Sequence, residues 1–315
     1  MFNNKRKNKK NLLVVALMGG VTYAQAEVLV ILPESGPMAR VASSIKLGFQ
    51  SAYEASDEKE PIKFVNSDQN SMAQLLKKHI TKKTKMIIGP LSRNEVDALI
   101  KTKPKMRVLA LNEGSTQVTN ISQFSLAKKH DASALKNLLE KDQMKEIYAI
   151  RQAGTENEHE LFLMALMTQI SIPLHVLEEC PQKIKKYQAL LLLGGNEWMN
   201  SQSKLPKKQI YALSNAIEQD LPIPQGLKFC DTPALYSSGW TDMYAAYERN
   251  PSTMSYQRLM AFGGDAWTIT QMYLHNPKLQ EASFEGRTGL IHIQENMIQR
   301  TPHCFKNTRH GVVIL

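Results

Sequence analysis

The run Val28-Leu29-Val30-Ile31-Leu32, halted by Pro33 and followed by Glu34-Ser35-Gly36-Pro37, decides the fold class. A continuous β-branched and aliphatic run suits a strand covered on both faces, since a half-exposed strand would alternate apolar with polar. Proline is favoured in the first helical turn, where its missing N–H is no loss, so a helix is predicted to start at Pro37. Val41, Ile45, Gly48, Phe49 and Ala52 then recur at three- and four-residue steps, the spacing of one buried helix face. Outward from this unit the alternation continues. Ile62 to Val65, Met86 to Ile88 and Val108 to Leu111 read as strands, and Met72 to Ile80 and Glu95 to Ile100 as helices. Strand, helix, strand at this spacing implies right-handed crossovers and a parallel sheet with helices on both faces.

After Phe124 the pattern restarts. Helices are predicted over Ala132 to Glu140 and Glu158 to Gln169, and strands over Ile147 to Ile150, Ala189 to Leu193 and Ile210 to Leu213. A long helix follows over Arg258 to Tyr273, and Thr288 to Leu315 reads as two or three antiparallel strands. The expected division is a first lobe of residues 27–125 plus 234–285 and a second of 126–233 plus 286–315.

The N-terminus alters the charge balance. Lys5-Arg6-Lys7-Asn8-Lys9-Lys10, the apolar run Leu12 to Val21 and the triplet Ala24-Gln25-Ala26 form the three parts of a secretory signal peptide over 1–26. Cleavage after Ala26 removes five cations and no acids, so the formal charge falls from +10 to 10 − 5 = +5. That weakens any case for a nucleic-acid partner, and the basic runs Lys77 to Lys85 and Lys183 to Lys186 lack the interleaved aromatics on which bases stack. No cysteine stands at the cleavage point, so the expectation is a soluble periplasmic chain. No apolar run reaches the roughly 18 residues of a membrane-spanning helix. Cys180, Cys230 and Cys304 leave one thiol unpaired if two are joined, and the sequence does not say which two.

The chain lacks the usual marks of catalysis. Phosphate-cradling glycine motifs, His-Glu-x-x-His and Gly-x-Ser-x-Gly do not occur. His159-Glu160 reads as helix surface. Ser43…Lys46 and Ser201…Lys204 match Ser-x-x-Lys, but Ser67-Asp68-Gln69 and Lys101-Thr102-Lys103 break the partner motifs that acyl-serine chemistry requires. No cofactor or metal is expected. In open parallel sheets, ligands gather where strands end and helices begin. That rule selects Ser35 and Gly36, Ser92 and Arg93, and Asn112, Ser115 and Thr116 as candidate crevice residues. The competing reading makes each an ordinary N-cap or turn.

Several blocks, in order, resemble the LppC family of penicillin-binding protein activators, in its C-terminal periplasmic-binding-protein-like domain. They are Val28 to Pro37, Ile87 to Asp97 with Leu109 to Asn112, Ile210 to Ser214, Gly226-Leu-Lys-Phe-Cys-Asp-Thr-Pro233, Leu259 to Trp267, and Gly286-Arg-Thr-Gly-Leu-Ile-His-Ile293. The resemblance implies a type I periplasmic-binding-protein-like fold, two lobes each with a mostly parallel sheet flanked by helices. It also implies a non-enzymatic module that contacts a class A penicillin-binding protein and stimulates peptidoglycan synthesis. The family's helical-repeat domain and lipidated cysteine have no counterpart here, and Arg151 to Glu160 is shorter than in the family. The alternative reading is a solute receptor closing on an amino acid or muropeptide between its lobes. A third is a purely structural family member.

Overall fold

Why the strands form where they do is plain in a computed structural model, which describes residues 27–57, 60–181, 183–202 and 205–315. The leader expected over 1–26, and Lys204 of the second Ser-x-x-Lys match, lie outside the described residues. β1 (Glu27–Leu32) is the deciding run, and Val28 to Leu32 are all buried. It lies between β2 (Ile62–Asn66) and β3 (Thr84–Ile88), parallel to both. β4 (Arg107–Ala110) and β5 (Ile121–Gln123) extend the parallel sheet beyond β3. Helix α1 (Ala39–Ala55) starts two residues after Pro37, while α2 (Met72–His79) and α3 (Arg93–Thr102) each open on a capping box, at Ser71 and Ser92.

The second lobe repeats the design. Its sheet places β6 (Glu146–Arg151) between β7 (Leu174–Leu177) and β8 (Gln188–Leu193), with β9 (Ile210–Leu213) and β10 (Lys228–Asp231) beyond β8, all parallel. Helices α4 (Lys128–Lys141) and α5 (Glu156–Met167) bury Leu135, Leu138, Phe162 and Leu166 against one face of it. The short α6 (Asn196–Ser201) buries Met199 on the other face. Each lobe is therefore a helix–sheet–helix sandwich with an apolar layer on both sides of its sheet.

Helices α7 (Thr241–Arg249) and α8 (Met254–His275) return to the first lobe. There α8 packs along α1 so closely that a Cβ on Gly48 would stand 1.8 Å from the Met260 carbonyl oxygen, and one on Gly263 2.0 Å from that of Ile45. These glycines are what let the two backbones touch. Phe49, Tyr53 and Trp267 meet edge to face beside the contact, at 5.4 and 5.0 Å from the indole.

The C-terminal residues correct the expected division. There are five strands, β11 (Glu281–Gly286), β12 (Gly289–Gln294), β13 (Met297–Thr301), β14 (His303–Thr308) and β15 (Gly311–Ile314), and they begin earlier than Thr288. The first three complete the first lobe's sheet, in the order β11-β12-β13-β5-β4-β3-β1-β2. Only β14 and β15 join the second, in the order β15-β14-β10-β9-β8-β6-β7. The last crossing therefore lies at Pro302 and not at 285/286. The reason is packing: alternate residues Ile291, Ile293 and Ile298 drop into the core under α8. The earlier crossings run through 124–127 and 232–240. Beside the third, Cys230 on β10 and Cys304 on β14 face each other and form a disulfide, leaving Cys180 free.

Candidate functional site

Ser92 sits just past β3 and caps α3. Its hydroxyl accepts from the Glu95 amide at 3.3 Å and donates to the Glu95 carboxylate at 2.7 Å. Arg93 is exposed in the first turn. The loop after β4 is stitched to the same region. The Asn112 side-chain amide donates to the Leu91 carbonyl at 2.9 Å, and the Ser115 amide and hydroxyl donate to Asp97 at 2.6 and 2.8 Å. Those bonds hold the Asp97 carboxyl below the usual carboxylate range. Thr116 is exposed, and its carbonyl accepts from Gln123 at 2.8 Å.

Ser92, Arg93, Asn112, Ser115 and Thr116 are thus gathered on one rim of the first lobe. Ser35 and Gly36 form a separate turn. The Ser35 amide and hydroxyl both donate to Asp68, at 2.7 and 2.8 Å, and Gly36 takes the left-handed φ of 69° that its turn requires. Ser35, Ser92, Asn112 and Ser115 have their partners inside their own lobe.

Sequence reasoning placed Glu113 in the crevice segment Asn112 to Thr116 but missed that it and other charged groups join the lobes. Glu113, inside the selected rim segment, accepts from Ser125 and Lys129 at 2.9 Å each, across the first crossing. Burial alone would raise its carboxyl, but these two donors outweigh it and hold it low. At the second crossing Arg258 of α8 grips Asp231 at the end of β10 through two parallel bonds, Nε to Oδ1 at 2.8 Å and Nη2 to Oδ2 at 2.7 Å. The same Nη2 donates to the Ser214 and Ile217 carbonyls of the second lobe, at 2.7 and 3.2 Å. Tyr236 donates to Asp231 at 2.7 Å, and burial with that carboxylate raises the phenol far above its ordinary value. Burial works against the Arg258 charge, and Asp231 more than restores it.

Near the third crossing Arg300 of β13 pairs with Asp131 of α4 at 2.5 Å, both largely shielded from solvent. His130 beside them has its pKa lowered to about 4, by burial first and then by the Arg300 and Lys129 charges, so it is neutral at ordinary pH. A second buried network braces the first lobe itself. Asp265 on α8 accepts from the Arg287 amide at 2.7 Å and from the Thr288 amide and hydroxyl at 2.8 and 2.6 Å, fixing the β11–β12 turn. Complete burial raises the Asp265 carboxyl. An acid inside the apolar run Leu259 to Trp267 was the one signal of this network that the sequence offered.

His159 is not helix surface. It is buried, its Nδ1 lies 3.0 Å from the Thr155 carbonyl, and burial lowers its pKa; Glu160 faces outward and pairs with Arg151 at 3.1 Å. Among the described residues no helix is long and apolar enough to cross a membrane, and no His, Cys, Asp and Glu cluster could hold a metal.

Comparison with known proteins agrees with this architecture. The family model described as "LppC putative lipoprotein" matches residues 15–153. The penicillin-binding protein activator LpoA of Haemophilus ducreyi is 24% identical over 299 residues, 85% of this chain and 51% of that protein. The chain therefore spans about half the length of the curated relative it matches. The C-domain of Haemophilus influenzae LpoA, described as a regulator of PBP1A, superposes with a TM-score of 0.73 at 18% identity, covering 92% of this chain and 100% of that one. The leucine-binding protein LivK of Thermotoga maritima gives a TM-score of 0.52 at 16% identity, covering 92% and 97%. By sequence this chain is similar to the LppC proteins, and its fold is the two-lobed, type I periplasmic-binding-protein-like architecture of the LpoA C-domain.

Proposed function

We propose that this protein is a periplasmic, non-catalytic partner of a class A penicillin-binding protein, promoting peptidoglycan synthesis by protein–protein contact. The observation that carries the reading is the bracing of the crossings. A receptor that closes on a solute must rotate one lobe on the other about those segments. Here the shielded pairs Arg258–Asp231 and Arg300–Asp131, with the more exposed Lys129–Glu113, tie the lobes together at the crossings themselves. A shielded ion pair resists opening because either charge, left alone in a low-dielectric site, is strongly disfavoured. The Ser92, Ser115 and Asn112 side chains of the rim point the same way, since they are spent on caps and turns. What remains is a fixed platform. A specific interface of about 800 Å² per partner lies within the reach of either lobe. The Cys230–Cys304 disulfide suits an oxidising compartment.

The test is a pull-down of the host's class A synthase with this chain, together with a glycan-polymerisation assay. Binding and a faster rate are expected; neither, at micromolar protein, would refute the reading. The receptor alternative is addressed by a thermal-shift screen with amino acids, sugars and muropeptides. A true ligand at 100 times its dissociation constant stabilises by about 2.7 kcal/mol. A flat screen is expected.

A further inference from the structure

At the second crossing, between α7, the start of α8 and the Gln219 turn of the second lobe, lies a cavity of about 450 Å³. Its floor is apolar, with Met243 and Met254 buried, and its walls are the rings of Trp240, Tyr244 and Tyr247. Tyr244 is 63% exposed, a large aromatic surface left open at the mouth. One edge is held in order by polar contacts, since Gln219 and the Tyr247 hydroxyl bond at 3.0 Å and Gln257 donates to Gln219 at 3.0 Å.

Charge around the mouth is one-sided. Glu218 and Asp220 flank Gln219 in sequence, with Glu218 also acting on Arg258, and the Glu248 carboxylate raises the pKa of the Tyr244 phenol beside it. The arginines nearby are already engaged. Arg249 pairs with Glu54 at 3.7 Å and Arg258 with Asp231 at 2.7 Å, while Arg287 stacks 4.6 Å from the Trp240 ring and pairs with Asp242 at 2.6 Å. In a chain whose formal charge is +10, this excess of carboxylate is local.

An aromatic-walled cavity with an apolar floor and an acidic mouth suits an apolar stem that ends in a cation. With Arg287 already over Trp240, the faces of Tyr244 and Tyr247 attract the charge, the methionines cover the methylenes, and the carboxylates neutralise the head. An anionic ligand would find no unengaged arginine of α7 or α8 to pair with. Trp and Tyr are also the residue types that dominate binding energy when they frame a pocket.

We infer that this cavity is a docking site for a basic segment of a partner protein, receiving an Arg or Lys side chain with an apolar neighbour. The assignment rests on the protein-contact reading above and names the patch that contact uses.

The test has two arms, each with the full chain and with the Tyr244→Ala and Glu248→Lys variants. Both substitutions lie on the exposed side of α7, so unchanged thermal midpoints are the check on folding. In the first arm the probe acetyl-Arg-Trp-Arg-Leu-amide is titrated against its counterpart with Glu in place of Arg. Saturable binding of the basic peptide below about 1 mM is expected, weakened about 10-fold by either substitution and by the acidic sequence. No saturation, equal binding of both peptides, or indifference to both substitutions would overturn the inference. In the second arm the ligand is the ectodomain of the host's class A synthase. Weakening by either variant supports the site. Full binding by both variants overturns the site and leaves the activator reading standing. Failure of the unsubstituted chain to bind overturns the activator reading, and the peptide arm alone then decides the cavity.

Discussion

Replacing Arg258 with Met keeps most of its stem and removes the guanidinium that ties α8 to the second lobe. Four hydrogen bonds disappear, two to Asp231 and one each to the Ser214 and Ile217 carbonyls. Asp231, whose side chain is 1% exposed, keeps the Tyr236 hydroxyl and the Thr232 amide, both at 2.7 Å. Breaking a buried pair by removing one partner costs about 3–5 kcal/mol, and the two surviving donors put this case near 3. For a chain of this size that corresponds to a fall in thermal midpoint of about 6 °C. Asp231→Asn should destabilise comparably, because it leaves Arg258 charged and uncompensated. The double variant should recover about 2 kcal/mol relative to the sum, the signature of two groups acting as a unit. The assay is denaturant unfolding of all four proteins, joined by spin-label distances between Thr116 on the first lobe's rim and exposed Ala153 in the β6–α5 loop of the second lobe, with Cys180 replaced by Ser. One narrow distance distribution is expected in the parent and a broadened one in Arg258→Met. Additive losses, or a parent that already samples two distances, would refute the claim that this pair sets the lobe angle.

Other predictions follow from the same geometry. His130, with a folded-state pKa of about 4, lies below its unfolded value near 6.5, so its contribution is complete above about 6.5 and is lost as pH falls toward 4. The loss amounts to about 3 kcal/mol, and His130→Gln should flatten that limb of the stability–pH curve; an unchanged slope would contradict it. Gly263→Ala forces a methyl against the Ile45 carbonyl and should destabilise by about 3 kcal/mol or more, whereas Ala at exposed Gly239, where a Cβ meets nothing within 4 Å, should change unfolding by less than about 0.5 kcal/mol. Removing the Cys230–Cys304 bridge, which joins residues 74 apart, should cost about 4 kcal/mol by loop-closure entropy. Equal denaturation midpoints with and without reductant would show that the bridge adds nothing.

The strands that were legible in the sequence are those buried on both faces. Past their first residues, Glu27 and Gln188, β1 and β8 are unbroken apolar runs because every later position is buried. β5 was not legible, since Ile121-Ser122-Gln123 has no period; its buried Ser122 is satisfied by the Tyr273 hydroxyl, 151 residues away, at 2.8 Å and by Arg107 at 3.3 Å. β13 misleads for the same reason. Its inward residues are Ile298 and Arg300, and an inward arginine reads as an outward one until Asp131 is known to be opposite. The rim residues could be selected by type, as hydroxyls and amides past strand ends. Whether they were free depended on partners such as Asp68 for Ser35, 33 residues off.

Likeness to a solute-binding protein is a likeness of topology, and the same limit applies to its crossings. Topology dictates three crossings, and topology is what long apolar strands and glycine-mediated helix contacts encode. Whether those crossings bend depends on a few charged pairs joining residues as far apart as 27 and 169 positions, which leave no periodic trace. A lobe pair with neutral, hydrated crossings can close around a solute. When the crossings bear shielded ion pairs, closure must first strip a charge of its counter-ion, at about the cost worked out for Arg258. On the proposed reading recognition then falls to surfaces such as the mouth framed by Trp240 and Tyr244, which spans the second crossing and keeps its shape while Arg258 and Asp231 hold that crossing fixed.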